Sequence, residues 1–260
     1  MDPIEKGHKY SNGIEMYYEI YGSGKPLVLI HGGGGSILFD YKEVIERLEN
    51  KFQLIGIDLQ NHGLSGHRDI PETFEQDAHD IAVLLEEINI KKASFWGFSN
   101  GGNTVMQVAH LYPGMVEKLV VASAFYKKSG MIDGFFESMK EASLDSMPEA
   151  LKNNFLSLNP DVAAFENMFD KDSKRMQVFE DWSEEVLKSI QSPTLFISGD
   201  KDIIKPEHTV EMWRLVKDSQ LMIIPATHGS YMMADLGGNI DGKSIDFTVT
   251  EVEKFLSNKQ

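Results

Sequence analysis

Short apolar runs alternate along the chain with longer amphipathic segments, and this alternation predicts an α/β fold. Continuous apolar runs are typical of strands that a sheet buries on both faces. Such runs occur at residues 26–30, 52–59, 93–98, 116–124, 193–198 and 221–225. Helical patterns follow several of them, for example at residues 74–90, and strands that alternate with helices favour a mostly parallel sheet.

The beginning of the chain has a different pattern, which predicts an antiparallel hairpin over residues 9–21. Asn12 and Gly13 can adopt the positive φ angles of a tight two-residue turn. After this turn Ile14, Met16 and Tyr18 recur at every second position, as in a strand with one buried face. We therefore expect antiparallel strands at one end of the otherwise parallel sheet.

Residues 126–190 interrupt the alternation, because they have helical patterns and no convincing strand. We expect residues 1–125 and 191–260 to form one core domain, with residues 126–190 inserted as a helical lid. The insertion is rich in Phe and Met, which either pack the helices on the core or line an apolar pocket. Interleaved carboxylates suggest an acidic rim on that pocket, formed by Glu137, Glu141, Asp145, Glu149 and Asp161.

Composition and charge limit the partners of the chain. The 260 residues contain 40 Asp and Glu against 25 Lys and Arg, a formal net charge of −15, so we expect no nucleic-acid partner. No apolar stretch is long enough to span a bilayer and no signal peptide is visible, so we expect no membrane association and, by default, a cytoplasmic location. The absence of cysteine excludes thiolate catalysis and Cys-ligated zinc.

The segment Gly97-Phe98-Ser99-Asn100-Gly101 matches the pattern G-x-S-x-G, in which a serine stands on a sharp turn between a strand and a helix. An apolar run precedes it and residues 102–112 have a helical pattern, so the context fits the motif. Side chains at Gly97 or Gly101 would crowd the turn. The N-terminus of the helix would also stabilise negative charge close to Ser99. We predict that Ser99 is a nucleophile.

A serine nucleophile needs a histidine base and an acid that orients this base. Asp200 and Asp202 follow the apolar run 193–198, and His228 follows the run 221–225. His228 is the one histidine of eight that lies in a loop after a late strand and downstream of these acids, so we predict that it is the general base. Surface segments or helices are expected for His8, His67, His79, His110 and His208.

With these motifs the chain resembles the lidded α/β-hydrolases of the esterase, lactonase and perhydrolase type, over nearly its whole length. The matching segments are His31-Gly32-Gly33, residues 58–65, the turn at Ser99, residues 199–206 and His228. The resemblance implies a doubly wound sheet of the eight-stranded type, with neither cofactor nor metal. It favours Asp202 as the acid, with Asp200 as the alternative.

The resemblance also implies which backbone N–H groups would stabilise an oxyanion. Gly33 is expected to supply one donor, with Gly34 as the alternative, and Asn100 the other. The glycine run does not fit G-x-G-x-x-G, and no Lys-Ser or Lys-Thr pair follows it, so a nucleotide site is disfavoured. His31 and His62, in nearby loops, are expected to make structural hydrogen bonds.

The chain departs from the family pattern in two places. Family members often read D-x-R-G-x-G-x-S, whereas Gln60 stands here in place of the arginine. The loop at residues 229–243, before a final helix predicted at 247–256, is also longer than expected. We cannot assign to Gln60 the salt bridge that an arginine would make.

The predicted function is hydrolysis of a carboxylic ester or lactone through an acyl-enzyme on Ser99, with a small-molecule substrate. The alternatives are hydrolysis of an amide or C–C bond, perhydrolysis and cyanohydrin cleavage on the same residues. An amphipathic cationic ester such as a macrolide lactone would suit an apolar pocket with an acidic rim. A hydrolase-like receptor for a small molecule is the alternative of another class, since fold alone does not fix function.

Overall fold

Eight strands form one sheet in the computed structural model, which describes residues 2–258, in the order β1-β2-β4-β3-β5-β6-β7-β8. In chain order the strands are β1 (Glu5–Ser11), β2 (Ile14–Tyr21), β3 (Lys25–Ile30), β4 (Phe52–Ile57), β5 (Ala93–Phe98), β6 (Val116–Ala122), β7 (Thr194–Lys201) and β8 (Ser219–Thr227). β2 is antiparallel to both β1 and β4, and the other neighbours are parallel. The predicted mostly parallel, eight-stranded sheet is confirmed.

The predicted hairpin joins β1 to β2. Asn12 and Gly13 both have positive φ angles, of 45° and 100°, as the two central residues of a tight turn require. The register pairs Ser11 with Ile14 across this turn. Because β2 also pairs with β4, the hairpin extends the parallel sheet by two antiparallel strands at one edge.

Helices connect the parallel strands and cover both faces of the sheet. In residues 2–258 they are α1 (Ile37–Leu48), α2 (Phe74–Glu87), α3 (Asn100–Leu111), α4 (Phe135–Lys140), α5 (Glu149–Leu158), α6 (Val162–Val178), α7 (Glu184–Lys188), α8 (Pro206–Leu215) and α9 (Gly242–Ser257). Apolar side chains of α1 and α9 pack on one face, and those of α2, α3 and α8 pack on the other. The sheet is therefore doubly wound, as predicted.

Two helices differ from the sequence predictions, one in its first residue and one because it was not predicted separately. α9 begins at Gly242, where Asp241 caps it by accepting from Ser244 N–H at 3.2 Å, so it starts before the predicted residue 247. α1 follows directly on the glycine run at 32–35 and has no separate prediction from the apolar pattern. Between β6 and β7 the chain forms α4 to α7 and no strand among the described residues.

No helix among residues 2–258 is long and apolar enough to cross a membrane.

Candidate active site

Ser99 lies on a sharp turn between β5 and α3, with φ 52° and ψ −122°. This is a rare conformation for a residue with a side chain, and it projects the side chain away from the strand. Small neighbours make the turn possible, because a Cβ on Gly97 would lie 2.1 Å from the carbonyl oxygen of Gly101. A Cβ on Gly101 would lie 2.1 Å from the oxygen of Ile30 on β3. Any larger residue at either glycine would push α3 away from the sheet.

The ends of β7 and β8 bring an acid and a histidine to Ser99. His228, directly after β8, has Nε2 3.1 Å from Ser99 Oγ. Its Nδ1 lies 2.6 Å from Oδ1 of Asp202, which follows β7. The three side chains thus form one hydrogen-bonded chain, although 129 residues separate Ser99 from His228.

Asp202 is buried and its carboxylate accepts several hydrogen bonds. Oδ2 accepts from Ser123 Oγ at 2.5 Å, and Oδ1 accepts from Ile204 N–H at 3.1 Å. Burial alone would raise the pKa of Asp202, but the hydrogen bonds from His228 and from the Ser123 hydroxyl hold this pKa below its usual value. Asp202 is therefore a carboxylate at neutral pH, able to orient the imidazole of His228.

Asp200, the alternative acid, points elsewhere. Its side chain is exposed, and Oδ1 accepts from Ala226 N–H at 2.9 Å. This contact ties the end of β7 to the end of β8 and leaves Asp200 without a bond to His228. The geometry favours Asp202 over Asp200 as the partner of the histidine.

The glycine run after β3 lies against Ser99. A Cβ on Gly32 would come within 3.1 Å of Ser99 Cβ, and a Cβ on Gly33 would meet the side-chain nitrogen of Asn100 at 2.7 Å. Gly34 N–H donates to Oδ2 of Asp172 at 2.8 Å, whereas Gly33 N–H has no acceptor among residues 2–258. Of the two predicted alternatives, Gly33 is thus the one whose N–H is available to a ligand.

Two buried side chains hold this glycine run in place. Asp40, on α1, accepts from Gly32 N–H at 2.6 Å, and burial raises the pKa of its carboxyl to about 7. His31 Nε2 accepts from Leu59 N–H at 3.0 Å, while Nδ1 lies 2.7 Å from the oxygen of Gly32. Burial lowers the pKa of His31 to about 3, so it is neutral and donates through Nδ1. These are the structural hydrogen bonds expected for His31.

Gln60, which stands in place of the family's arginine, shares a carboxylate partner with a cation from another part of the chain. Gln60 donates to Oδ1 of Asp77 at 2.7 Å, and Arg175, on α6, donates to Oδ2 of the same carboxylate at 2.7 Å. Arg175 also contacts Glu72 at 3.6 Å and Asp172 at 2.5 Å, so one guanidinium meets three buried or nearly buried carboxylates. Nothing in the spacing of the sequence indicated this cluster, because its members come from three separate segments.

A cavity of about 340 Å³ opens in front of Ser99 and His228. Its walls are mostly apolar side chains from the region between β6 and β7, namely Phe135, Met139, Met147, Leu151, Met168, Phe169 and Met176. Gly33, Asn100 and Ile203 line it from the sheet side, and Asp172 is the one acidic residue at its wall. A group that enters this cavity reaches the serine hydroxyl through an apolar space.

The five carboxylates expected to form an acidic rim are all exposed, and none lies on the cavity wall within the described part of the chain. The expected rim is therefore not part of that wall. Residues 126–190 turn most of their Phe and Met side chains inward and these five carboxylates to solvent, as amphipathic helices do. His208 lies on a helix, α8, as expected; it is buried, and its Nε2 accepts from Tyr126 N–H at 3.2 Å.

The family model described as "alpha/beta hydrolase fold" matches residues 25–234. Among curated proteins, the chain is 30% identical to the serine hydrolase BPHL of Mus musculus over 227 residues, which cover 82% of this chain and 76% of the mouse protein. It is 34% identical to a putative carbamate hydrolase, RutD, of Azorhizobium caulinodans over 144 residues, 54% of each chain.

A solved structure with the same fold is that of the enol-lactonase from Burkholderia xenovorans. The TM-score is 0.77 at 19% sequence identity, and the match covers 97% of this chain and all of the other. At this identity the likeness concerns the fold and carries no information on the substrate.

Proposed function

Since the chain belongs to the α/β-hydrolase fold family and is a hydrolase, we propose that it cleaves carboxylic esters or lactones through an acyl-enzyme on Ser99. The observation that carries the proposal is the hydrogen-bonded chain from Ser99 through His228 to Asp202, with distances of 3.1 and 2.6 Å. These three residue types in this order perform nucleophilic catalysis on several unrelated folds.

In the proposed reaction His228 Nε2 removes the proton from Ser99 Oγ as this oxygen attacks the carbonyl carbon of the substrate. Asp202 keeps the Nδ1 proton of His228 in place and stabilises the imidazolium that forms. The N–H groups of Gly33 and Asn100 donate to the oxygen of the tetrahedral intermediate. His228 then protonates the leaving alcohol, and an activated water molecule releases the acid from Ser99.

The cavity supports a substrate with a predominantly apolar body. Its volume of about 340 Å³ suits a group of small to moderate size, and its Met and Phe walls offer adaptable apolar contact. Because the expected acidic rim is absent from the described wall, we do not propose a preference for cationic esters. We propose that α4 to α7 act as the lid of this cavity, since their side chains form most of its wall.

The test combines covalent labelling with turnover. A fluorophosphonate probe should label Ser99, as located by mass spectrometry, and p-nitrophenyl esters of short acyl chains should be hydrolysed with repeated turnover. Ser99→Ala should abolish labelling and reduce ester turnover by about 10⁴-fold or more. Turnover that survives in Ser99→Ala would contradict the assignment of the nucleophile.

A panel of substrates distinguishes the remaining chemistries. Esters, lactones, anilides and carbamates of matched size should be compared, because the same three residues could act on each of these acyl bonds and one relative is named as a putative carbamate hydrolase. We expect the highest kcat/KM for an ester or lactone. Labelling of Ser99 together with tight binding and negligible turnover of the whole panel would favour the receptor alternative.

A further inference from the structure

We infer that Asp172, on α6, is a positioning residue that sets the orientation of the backbone donors opposite Ser99. The inference rests on the proposed function, because it concerns the same oxyanion. Asp172 comes from a helix outside the core segments that carry Ser99, Asp202 and His228. It nevertheless lies on the wall of the same cavity.

The first step is the contact between Asp172 and the glycine run. Oδ2 of Asp172 accepts from Gly34 N–H at 2.8 Å, and a Cβ on Gly33 would lie 3.0 Å from the same oxygen. Gly34 has φ +67°, a left-handed conformation that glycine adopts about as readily as a right-handed one. The backbone alone therefore does not hold the loop in one conformation, and an external contact is needed. His62 Nε2 also lies 3.1 Å from the Gly34 nitrogen, but when Nε2 carries a proton it donates to Asp172 and cannot accept from Gly34. Asp172 is then the acceptor for Gly34 N–H, and the N–H of Gly33 is left for the substrate.

The second step is the charge of the group. A lone carboxylate beside a developing oxyanion would oppose the reaction by repulsion between like charges. Here His62 Nε2 lies 2.9 Å from Oδ2 and Arg175 donates to Oδ1, so two positive groups contact Asp172. Burial opposes its ionisation, yet these two charges keep the pKa of Asp172 far below its usual value. The carboxylate stays ionised as an acceptor, and its negative charge is compensated by these two groups.

Both groups that contact Asp172, Arg175 and His62, are themselves held in place. Arg175 is held by Asp77, and Nδ1 of His62 lies 2.9 Å from the carbonyl oxygen of Gln60. Asn167, earlier on α6, donates from its side-chain amide to Oδ1 of Asn61 at 3.0 Å. α6 is thus attached to the loop after β4 at several points, and Asp172 has little freedom to leave Gly34. An oxyanion donor misplaced by about 1 Å can cost as much as 10²-fold in rate, so this restraint matters for turnover.

The experiment compares Asp172→Ala and Asp172→Asn with a matched control, Asp170→Ala, which removes an exposed carboxylate from the same helix. We expect Asp172→Ala to lower kcat for a p-nitrophenyl ester by about 10-fold to 100-fold, with KM changed less than about twofold. The rate of phosphonylation of Ser99 should fall by a similar factor. Asp172→Asn should lose less, because its amide oxygen can still accept from Gly34 N–H. Asp170→Ala should match the wild type.

Unchanged kcat in both Asp172 variants, or a rise in KM alone, would overturn the inference. If Asp172→Ala does not fold, the isosteric Asp172→Asn decides alone: its kcat and phosphonylation rate, per folded molecule, should fall by about threefold to tenfold. Failure of the proposed function looks different, because the wild type would then show no labelling at Ser99, or Ser99→Ala would keep its turnover. Labelled wild type with undiminished Asp172 variants defeats only the role of Asp172.

Discussion

Ser123 donates its hydroxyl hydrogen to Oδ2 of Asp202, from the residue that directly follows β6's last alanine. Ser123 has φ 51°, and its Oγ also lies 2.6 Å from the hydroxyl of Tyr231. A residue at the end of β6 thereby restrains the acid at the end of β7. No motif surrounds Ser123, so nothing in its local sequence distinguishes it from other serines.

Removal of this hydroxyl should weaken the support of Asp202. We expect Ser123→Ala to lower kcat by about tenfold, because a hydrogen bond to a charged group contributes about 1.5–3 kcal/mol. Tyr231→Phe should have a smaller effect, since it removes only the second contact of Ser123. The control is Ser198→Ala, which deletes a buried hydroxyl that bonds to Gly199 on β7. Steady-state kinetics on one ester decide, and equal losses in the Ser123 variant and the control would contradict a specific role.

The pair of His62 and Asp172 should make stability depend on pH. Burial opposes protonation of His62, but the negative charge of Asp172 outweighs it and raises the pKa of His62 to about 9. Glu72 adds to this rise. Two further ionisable groups, His31 and Arg175, also lie nearby. The folded-state pKa exceeds the unfolded value of 6.5. The stabilisation is therefore complete below about pH 6.5 and is lost as the pH rises through about 9.

Urea unfolding of wild type and His62→Gln at pH 6, 7.5 and 9 measures this effect. The difference in free energy of unfolding should shrink over that range by up to about 3 kcal/mol. His67→Gln, at an exposed position, is the control substitution. A difference between wild type and His62→Gln that is constant with pH would show that His62 does not gain a proton on folding.

The turn at Ser99 should not tolerate a methyl group at Gly101. A Cβ there would lie 2.1 Å from the Ile30 carbonyl oxygen and 2.4 Å from that of His31, and these backbone atoms cannot move aside as a flexible side chain could. We expect Gly101→Ala to lower the free energy of unfolding by more than about 3 kcal/mol or to prevent soluble expression. Gly114→Ala, where a Cβ meets nothing within 4 Å, should be nearly neutral. Thermal unfolding of both variants makes the comparison, and equal melting temperatures would contradict the packing argument.

The preference for long or short acyl chains should depend on Leu151, which lines the cavity from α5. Leu151→Trp fills part of the space, so kcat/KM for a long-chain p-nitrophenyl ester should fall about tenfold relative to the acetate. Leu158→Trp, at the partly exposed end of the same helix, should leave the ratio unchanged. An unchanged ratio in Leu151→Trp would mean that the acyl chain does not occupy this cavity.

The sequence was sufficient for features that depend on local pattern. Apolar runs identified the parallel strands. The glycines around Ser99 identified the turn, because its steric requirement restricts a few adjacent residues to glycine. His228 was predicted from its place in a loop after a late apolar run, and the resemblance to the family favoured Asp202 over Asp200. The triad roles themselves stay predictions until Ser99 is tested.

Contacts between distant segments were not accessible in this way. Gly34 and Asp172 are separated by 138 positions, and neither residue type in its local context indicates the other. The acidic rim failed for a related reason, since composition gives the charge of a segment but not the face on which each carboxylate lies. α1 was not predicted separately, because the glycine run lies between it and the apolar run at residues 26–30.

The arginine at position 175 has a consequence for how this chain can be recombined with others. Gln60 is neutral, so the cation that contacts Asp77 and Glu72 comes from α6. A chimera in which residues 126–190 are replaced by a segment without an arginine at this place would leave both carboxylates buried without that cation. Exchange of residues 126–190 should therefore succeed only when the new segment, or a substitution at position 60, supplies the missing positive charge.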